Sequence, residues 1–209
     1  MATLAQTRFA EARRHLLQAG AAAAFSALTP SGLAQWLEPA VSAQSPRQPS
    51  AAALAPRSLW VTRPQAQESA RITFWAEGQL QPEGCARLDH LFRDLYAGLV
   101  LPMAPGLWHL NHLLQRRVHA YWGPRPMVLL SGYRCAATNR RVGGVEPNWH
   151  GRGVADDFTY EGPGLLQLAR LLLRLPVGGL GVYPERGSLH KDTGPRRTWV
   201  TRGRAAPGA

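Results

Sequence analysis

Three short stretches carry the side chains best suited to chemistry: Ser131-Gly-Tyr-Arg134, His150-Gly-Arg-Gly-Val-Ala-Asp-Asp157-Phe158, and His190-Lys-Asp192. Imidazoles and carboxylates at such intervals suit a divalent cation. Zinc takes a few nitrogen, sulfur or oxygen ligands and keeps one position open where it is catalytic. His150 precedes a glycine-rich turn (Gly151, Gly153) and then a β-prone run. The turn can fold the imidazole back over that run, so an acid up to seven residues on can share its cation. Side chains alternate along a strand, which puts Val154, Asp156 and Phe158 on one face and Ala155 and Asp157 on the other. Only one of the two acids can therefore face His150. His190 and Asp192 share one face of another strand, and that strand can pair beside the first. His90, His109, His112 and His119 fall on helical patterns and read as structural; His109 and His112, three apart, are the alternative metal pair.

The elements that must position these residues follow from periodicity. Residues 57–62 and 70–75 are β-prone runs separated by a polar turn, and Glu77-Gly78 ends the second, so a hairpin or meander is predicted. Leu88, Leu91, Phe92 and Leu95 fall at helical spacing over residues 82–96. Leu107, Leu110, Leu114 and Val118 predict a second helix, begun near Pro105 and ended by Gly123-Pro124. Residues 127–130 read as a short buried strand, and residues 165–175 as a third helix stopped by Pro176. Three short strands follow at 179–183, 188–192 and 197–201. Helices in the middle and strands gathered at the end predict one α+β domain over residues 57–204.

The first 43 residues read as an export signal. The Arg13-Arg14 pair precedes His-Leu-Leu, a mildly apolar stretch spans 19–28, and Val41-Ser-Ala43 offers small residues at a cleavage point. The paired arginines resemble a twin-arginine signal; an amphipathic helix packed on the domain is the alternative. Residues 44–56, mostly Ser, Ala, Pro and Gln, read as a flexible linker. The 209 residues fit one domain with an appendage, and 45% apolar content excludes disorder throughout. Outside the leader no run of 18 uncharged apolar residues exists, which excludes an internal membrane span. Lys+Arg is 24 against 13 Asp+Glu, for a net +11. The leader holds Arg8, Arg13 and Arg14 against Glu11 and Glu38, so the basic character belongs to the folded part. Lys191 is the only lysine, and the arginines are scattered among Ala, Gly and Pro. That pattern argues against specific nucleic-acid binding and fits attraction to an anionic envelope polymer. Cys85 and Cys135 could pair in an oxidising compartment, closing a long loop worth ~4 kcal/mol; two buried free thiols are the alternative.

These motifs, taken in order, resemble the zinc D-Ala-D-Ala peptidases related to sonic hedgehog, in their YcbK-like murein-endopeptidase branch. The likeness is carried by Ser131-Gly-Tyr-Arg134, Thr138-Asn139, His150 with Gly153, Ala155 and Asp157 in step, Gly178-Gly-Leu-Gly-Val-Tyr-Pro184, His190-Lys-Asp-Thr-Gly194 and Arg197-Thr-Trp199. It covers roughly residues 57–200. The resemblance implies a small central antiparallel β-sheet that carries one zinc ion and packs against helices. It implies His150, Asp157 and His190 as zinc ligands, with water as the fourth. Arg134 would hold a substrate carboxylate or a developing oxyanion, with a structural ion pair to Asp156 or Asp157 as the alternative. Asp192 would either fix a ligand imidazole or act as general base, with Glu146 and Glu185 in reserve. The implied activity is hydrolysis of amide bonds in peptidoglycan stem peptides or cross-links by an exported, periplasmic, monomeric enzyme. A D,D-carboxypeptidase and a non-catalytic zinc-containing wall-binding module remain as alternatives. Four departures stand out: Cys135 replaces the serine after the arginine, Gly187 and Ser188 stand where other relatives place a glutamate or histidine before the last ligand, and two more lie nearer the ligands themselves. Asn148 replaces a serine before the first ligand, and Lys191 takes an apolar strand position, which predicts a solvent-exposed face there.

Overall fold

The computed structural model describes residues 51–201. The predicted leader and residues 44–50 of the predicted linker lie outside the described residues. Residues 51–56 are not featureless: Ala51–Leu54 form a single helical turn, α1, and the indole of Trp75 donates to the Ala53 carbonyl at 3.0 Å. No helix among the described residues is long and apolar enough to cross a membrane.

Strands β1 (Arg57–Arg63) and β2 (Glu68–Ala76) form the predicted antiparallel meander, with Val61 opposite Ala70, and β3 (Gln79–Leu80) extends it. Alternation buries Leu59 and Val61 from β1 and Ile72 and Phe74 from β2. Helix α2 spans Pro82–Leu91, shorter than its periodicity suggested. Asp94 ends the helical run: its Oδ1 accepts from the backbone N–H of Tyr96 and Ala97 at 3.0 and 3.1 Å, an alternative to further helix. Helix α3 spans Pro105–Trp122, β4 Met127–Ser131, and α4 Ala136–Arg141, a short helix without an apolar stripe. Next come β5 (Ala155–Thr159), α5 (Leu165–Leu172), β6 (Gly179–Tyr183), β7 (Ser188–Asp192) and β8 (Arg197–Val200). The α+β class holds, but the sheet is neither small nor wholly antiparallel. It has eight strands in the order β3-β2-β1-β4-β5-β7-β6-β8, with β1/β4 and β6/β8 parallel.

The β1/β4 pairing is brief, Val61 with Met127 and Thr62 with Val128. Beyond it α3 stands in for the missing strand. Gln115 accepts from the Trp60 N–H at 2.9 Å and donates to its carbonyl at 2.7 Å, and His112 Nδ1 donates to the Ser58 carbonyl at 3.0 Å. Three of the four helical histidines are thus structurally engaged: His109 Nδ1 accepts from Arg57 and His119 Nε2 donates to the Arg125 carbonyl. Cys85 and Cys135 are free thiols; the Cys135 sulfur caps α4.

The expectation for Lys191 is overturned as well. Lys191 is not on a solvent-exposed face but fully buried, its ammonium bonded to the Asp156 carboxylate and 3.7 Å from the Phe158 ring centre. The cause is register: Asp156 lies directly opposite Lys191 across β5 and β7. Asn111 of α3 donates to Asp156 at 2.8 Å, so this face of the sheet is roofed by a helix.

Candidate metal centre

The same register that pairs Asp156 with Lys191 places Asp157 opposite His190 on the other face of β5 and β7. His150 reaches that face from a single 3-10 turn, His150–Arg152, closed by Gly153. Gly153 has φ +68, which a side chain would strain, and its N–H returns to the His150 carbonyl at 3.1 Å. His150 Nε2 lies 3.1 Å from His190 Nδ1 and 3.4 Å from Asp157 Oδ1, and His190 Nδ1 lies 3.0 Å from the same Oδ1. Among the described residues these three form the one group of three or more His, Cys, Asp or Glu placed to hold a metal ion.

Proton positions explain why that spot wants a cation. His150 Nδ1 faces the Gly132 carbonyl at 2.7 Å. A carbonyl only accepts, so Nδ1 carries the proton and Nε2 offers a lone pair. His190 Nε2 faces Asp192 Oδ2 at 2.9 Å and donates to it, which leaves Nδ1 as a lone pair. Two imidazole lone pairs and one carboxylate oxygen then point at one another. Ligands bound tetrahedrally at roughly 2.0–2.2 Å stand about 3.3–3.5 Å apart. The observed triangle of 3.0–3.4 Å is close to that, so the donor set fits a zinc-like ion.

The electrostatics agree. Burial alone would push the Asp157 carboxyl up, but the two imidazoles, when they carry a second proton in place of a metal, and the Arg134 charge hold it well below the usual carboxylate range. Burial works against a charged His190, yet the hydrogen bonds and charges of Asp157 and Asp192 raise its pKa. A positive charge is therefore welcome between the carboxylates, whether carried by a proton or by a metal.

Asp192 is wholly buried and saturated. Its Oδ1 accepts from the N–H of Gly179 and Gly194 at 2.9 and 2.8 Å and from Arg197 at 3.1 Å; its Oδ2 accepts from His190 at 2.9 Å and Arg197 at 2.6 Å. Burial would raise this carboxyl, and those hydrogen bonds drive it far below its ordinary value. No oxygen of Asp192 is left facing open space. The Arg197 guanidinium is held between the Trp149 and Trp199 rings, 5.0 and 5.2 Å from their centres.

Arg134 stands 3.5 Å from Asp157 Oδ2, and its buried Nε has no hydrogen-bond partner. Asn148, the departure from serine, ties the turn to this arginine: it donates to the Arg134 carbonyl at 3.1 Å and accepts from Gly151 N–H at 2.9 Å. Of the reserve acids, Glu146 accepts from Asn148 N–H and Asn139, and Glu185 is exposed in the 3-10 turn Pro184–Arg186. Neither belongs to the metal-binding group.

Tyr183 and Trp199 fall within the sequence motifs, where spacing gives them no role. The Trp199 ring lies 5.3 Å from that of His190, and its Nε1 donates to the Tyr183 hydroxyl at 3.1 Å. Strand alternation was the available signal, since 179, 181 and 183 share a face and two of the three are glycine.

Residues 51–199 match the sequence family described as peptidoglycan L,D-endopeptidase MepK. The chain belongs to this family. Proteins of the same name from Escherichia coli (strain K12) and Shigella flexneri are each 34% identical over 150 residues, 69% of this chain and 80% of theirs. A probable peptidoglycan L,D-endopeptidase MepK from Haemophilus influenzae is 35% identical over 125 residues, 56% of this chain and 65% of its own. The MepK family match spans all three stretches that carry the chemistry, and Trp149, Tyr183 and Trp199 as well.

Proposed function

We propose that this protein is an exported zinc peptidase that hydrolyses amide bonds in peptidoglycan cross-links, as an endopeptidase. The observation that carries the reading is the convergence of two imidazole lone pairs and one carboxylate oxygen on a single point, in a chain of the MepK family. A zinc ion held by His150, Asp157 and His190 would polarise the scissile carbonyl and acidify a water. The protein's own groups do the rest. The Gly132 carbonyl and the Asp192 carboxylate fix the tautomers of His150 and His190. Arg134, whose guanidinium stands beside Asp157, holds a substrate carboxylate or the oxygen that gains charge. Asp192 orients rather than takes a proton, because every lone pair it can present is already engaged. The Arg13-Arg14 pair and the small residues before Gln44 support export to the periplasm by the twin-arginine route. The +11 charge supports salt-dependent retention on a carboxylate-bearing wall.

The test is incubation of the zinc-loaded protein with purified cross-linked muropeptides, followed by chromatography. Cross-links are expected to open, a chelator to stop the reaction and added zinc to restore it. Release of terminal D-alanine alone would make it a carboxypeptidase. Muropeptides that bind but stay intact would make it a binding module.

Asp192→Asn separates orientation from proton transfer. Zinc affinity is expected to fall about 10–100-fold, the usual cost of removing an acceptor behind a ligand imidazole. At saturating zinc most of kcat should return. A zinc-saturated variant with no turnover would instead assign the proton to Asp192.

A further inference from the structure

We propose that Tyr183 is a catalytic residue: its phenol O–H donates a hydrogen bond to the carbonyl oxygen of the scissile amide as that oxygen takes on negative charge. The proposal rests on the peptidase reading and adds a second donor to that of Arg134.

The placement follows from register. Gly181 of β6 lies directly opposite His190 of β7, so residues 179, 181 and 183 rise from the metal-bearing face. Gly181 lies opposite Trp199 on its other side, in β8. A Cβ on Gly181 would come within 2.6 Å of the Trp199 ring, so the missing side chain is what lets the indole lie across β6 against His190. Two residues on, Tyr183 meets the far side of that indole, and Trp199 Nε1–H donates to its oxygen at 3.1 Å. This bond determines the direction of the phenol's own proton. The indole can only donate, so it occupies a lone pair of the hydroxyl and leaves the O–H without an acceptor among the described residues. A half-buried hydroxyl with its acceptor side used and its donor side open is a donor awaiting a partner.

The surroundings point to a partner that develops negative charge. Burial pushes the phenol pKa up, and the charge of Asp157 pushes the same way against a lowering by the Trp199 bond and the charges of Arg134 and of Arg186, whose guanidinium lies 5.6 Å from the tyrosine ring centre, so the proton stays on at neutral pH. The indole that bonds the phenol lies 5.3 Å from the His190 ring, so the hydroxyl sits along the same face of the sheet as the proposed metal ligands. Only a hydrogen bond is made: no proton leaves Tyr183, and no bond to it forms or breaks. A donor of this kind acts on kcat because it is stronger in the transition state than in the bound substrate.

Tyr183→Phe keeps the ring against Trp199 and removes only the O–H. In the zinc-loaded full chain, kcat for a cross-linked muropeptide is expected to fall about 10²-fold or more, with KM within about threefold. Binding of a phosphinic pseudopeptide, which carries a charged tetrahedral oxygen at the scissile position, should weaken by a similar factor. Binding of the product peptide and of zinc should stay as in the parent. A kcat within about threefold of the parent would overturn the proposal. So would an equal loss for pseudopeptide and product, or a loss of zinc affinity, since either would make the tyrosine a prop for Trp199. A parent protein that cleaves no muropeptide would overturn the peptidase reading; the pseudopeptide-against-product comparison would still judge the phenol.

Discussion

Asp157→Ala is expected to yield a folded protein that loses its metal and with it the hydrolysis of cross-links. Asp157 supplies the one anionic ligand of the proposed site, and its Oδ1 is the corner shared by both imidazoles, at 3.0 and 3.4 Å. Without it two neutral nitrogens remain, and the field that favours a cation collapses. Removing a group that merely supports a ligand costs about 10–100-fold in metal affinity, so removing the charged ligand itself should cost at least ~10²-fold. The fold should tolerate the change. Asp157 is partly exposed, its backbone stays in the β5/β7 ladder, and His190 keeps Asp192 as a partner. Zinc content after dialysis, competition against a chromophoric chelator, and muropeptide turnover measure the three parts of this result. A variant that keeps one equivalent of zinc and parental turnover would remove Asp157 from the site.

How much of this centre was legible before the fold was known depends on how local each determinant is. The glycine turn after His150, the alternation that separates Asp156 from Asp157 and the shared face of His190 and Asp192 are all short-range, and sequence spacing captured them. What spacing left open was the choice between the two acids; the β5/β7 register resolves it by setting Asp157 beside His190. Lys191 was misread because its environment is decided by a helix far away in sequence. Asn111 of α3 and Asp156 of β5 meet over it across 45 residues. The mixed sheet was missed for the same reason. A hairpin shows in its turn residues, whereas the β1/β4 and β6/β8 parallel pairings join segments with no common turn. Helix α2 ended early at a tertiary device, Asp94, which caps its own turn through Oδ1 and accepts from Cys135 N–H through Oδ2 at 2.9 Å. Tyr183 lay in plain view, but its meaning required knowing that Trp199 folds across Gly181.

The buried pair beneath the proposed metal ligands should produce the largest stability effect. Lys191→Met alone is expected to destabilise the fold by about 3–5 kcal/mol, the cost of leaving a buried charge without its partner. Asp156 would keep only the Asn111 amide at 2.8 Å, in a place with no access to water. Burial already pushes the Lys191 amine down, and the Asp156 charge and hydrogen bond oppose that shift without cancelling it, so the pair is held by each other rather than by solvent. Replacing both members, as Asp156→Leu with Lys191→Met, should recover part of the loss, because an apolar pair beside Phe158 and Met127 escapes the cost of drying two charges while the buried Asn111 amide loses its acceptor. Denaturant unfolding of the metal-free parent, the single variant and the double variant measures the cycle. The pair also bears on the metal. Asp156 and Lys191 are the immediate chain neighbours of Asp157 and His190, so a β5/β7 ladder that frays when one charge is orphaned carries two of the proposed ligands apart. Zinc affinity should therefore fall in the single variant and return in the double. A double variant as unstable as the single would show that the ion pair, and not the packing around it, holds the two strands in register.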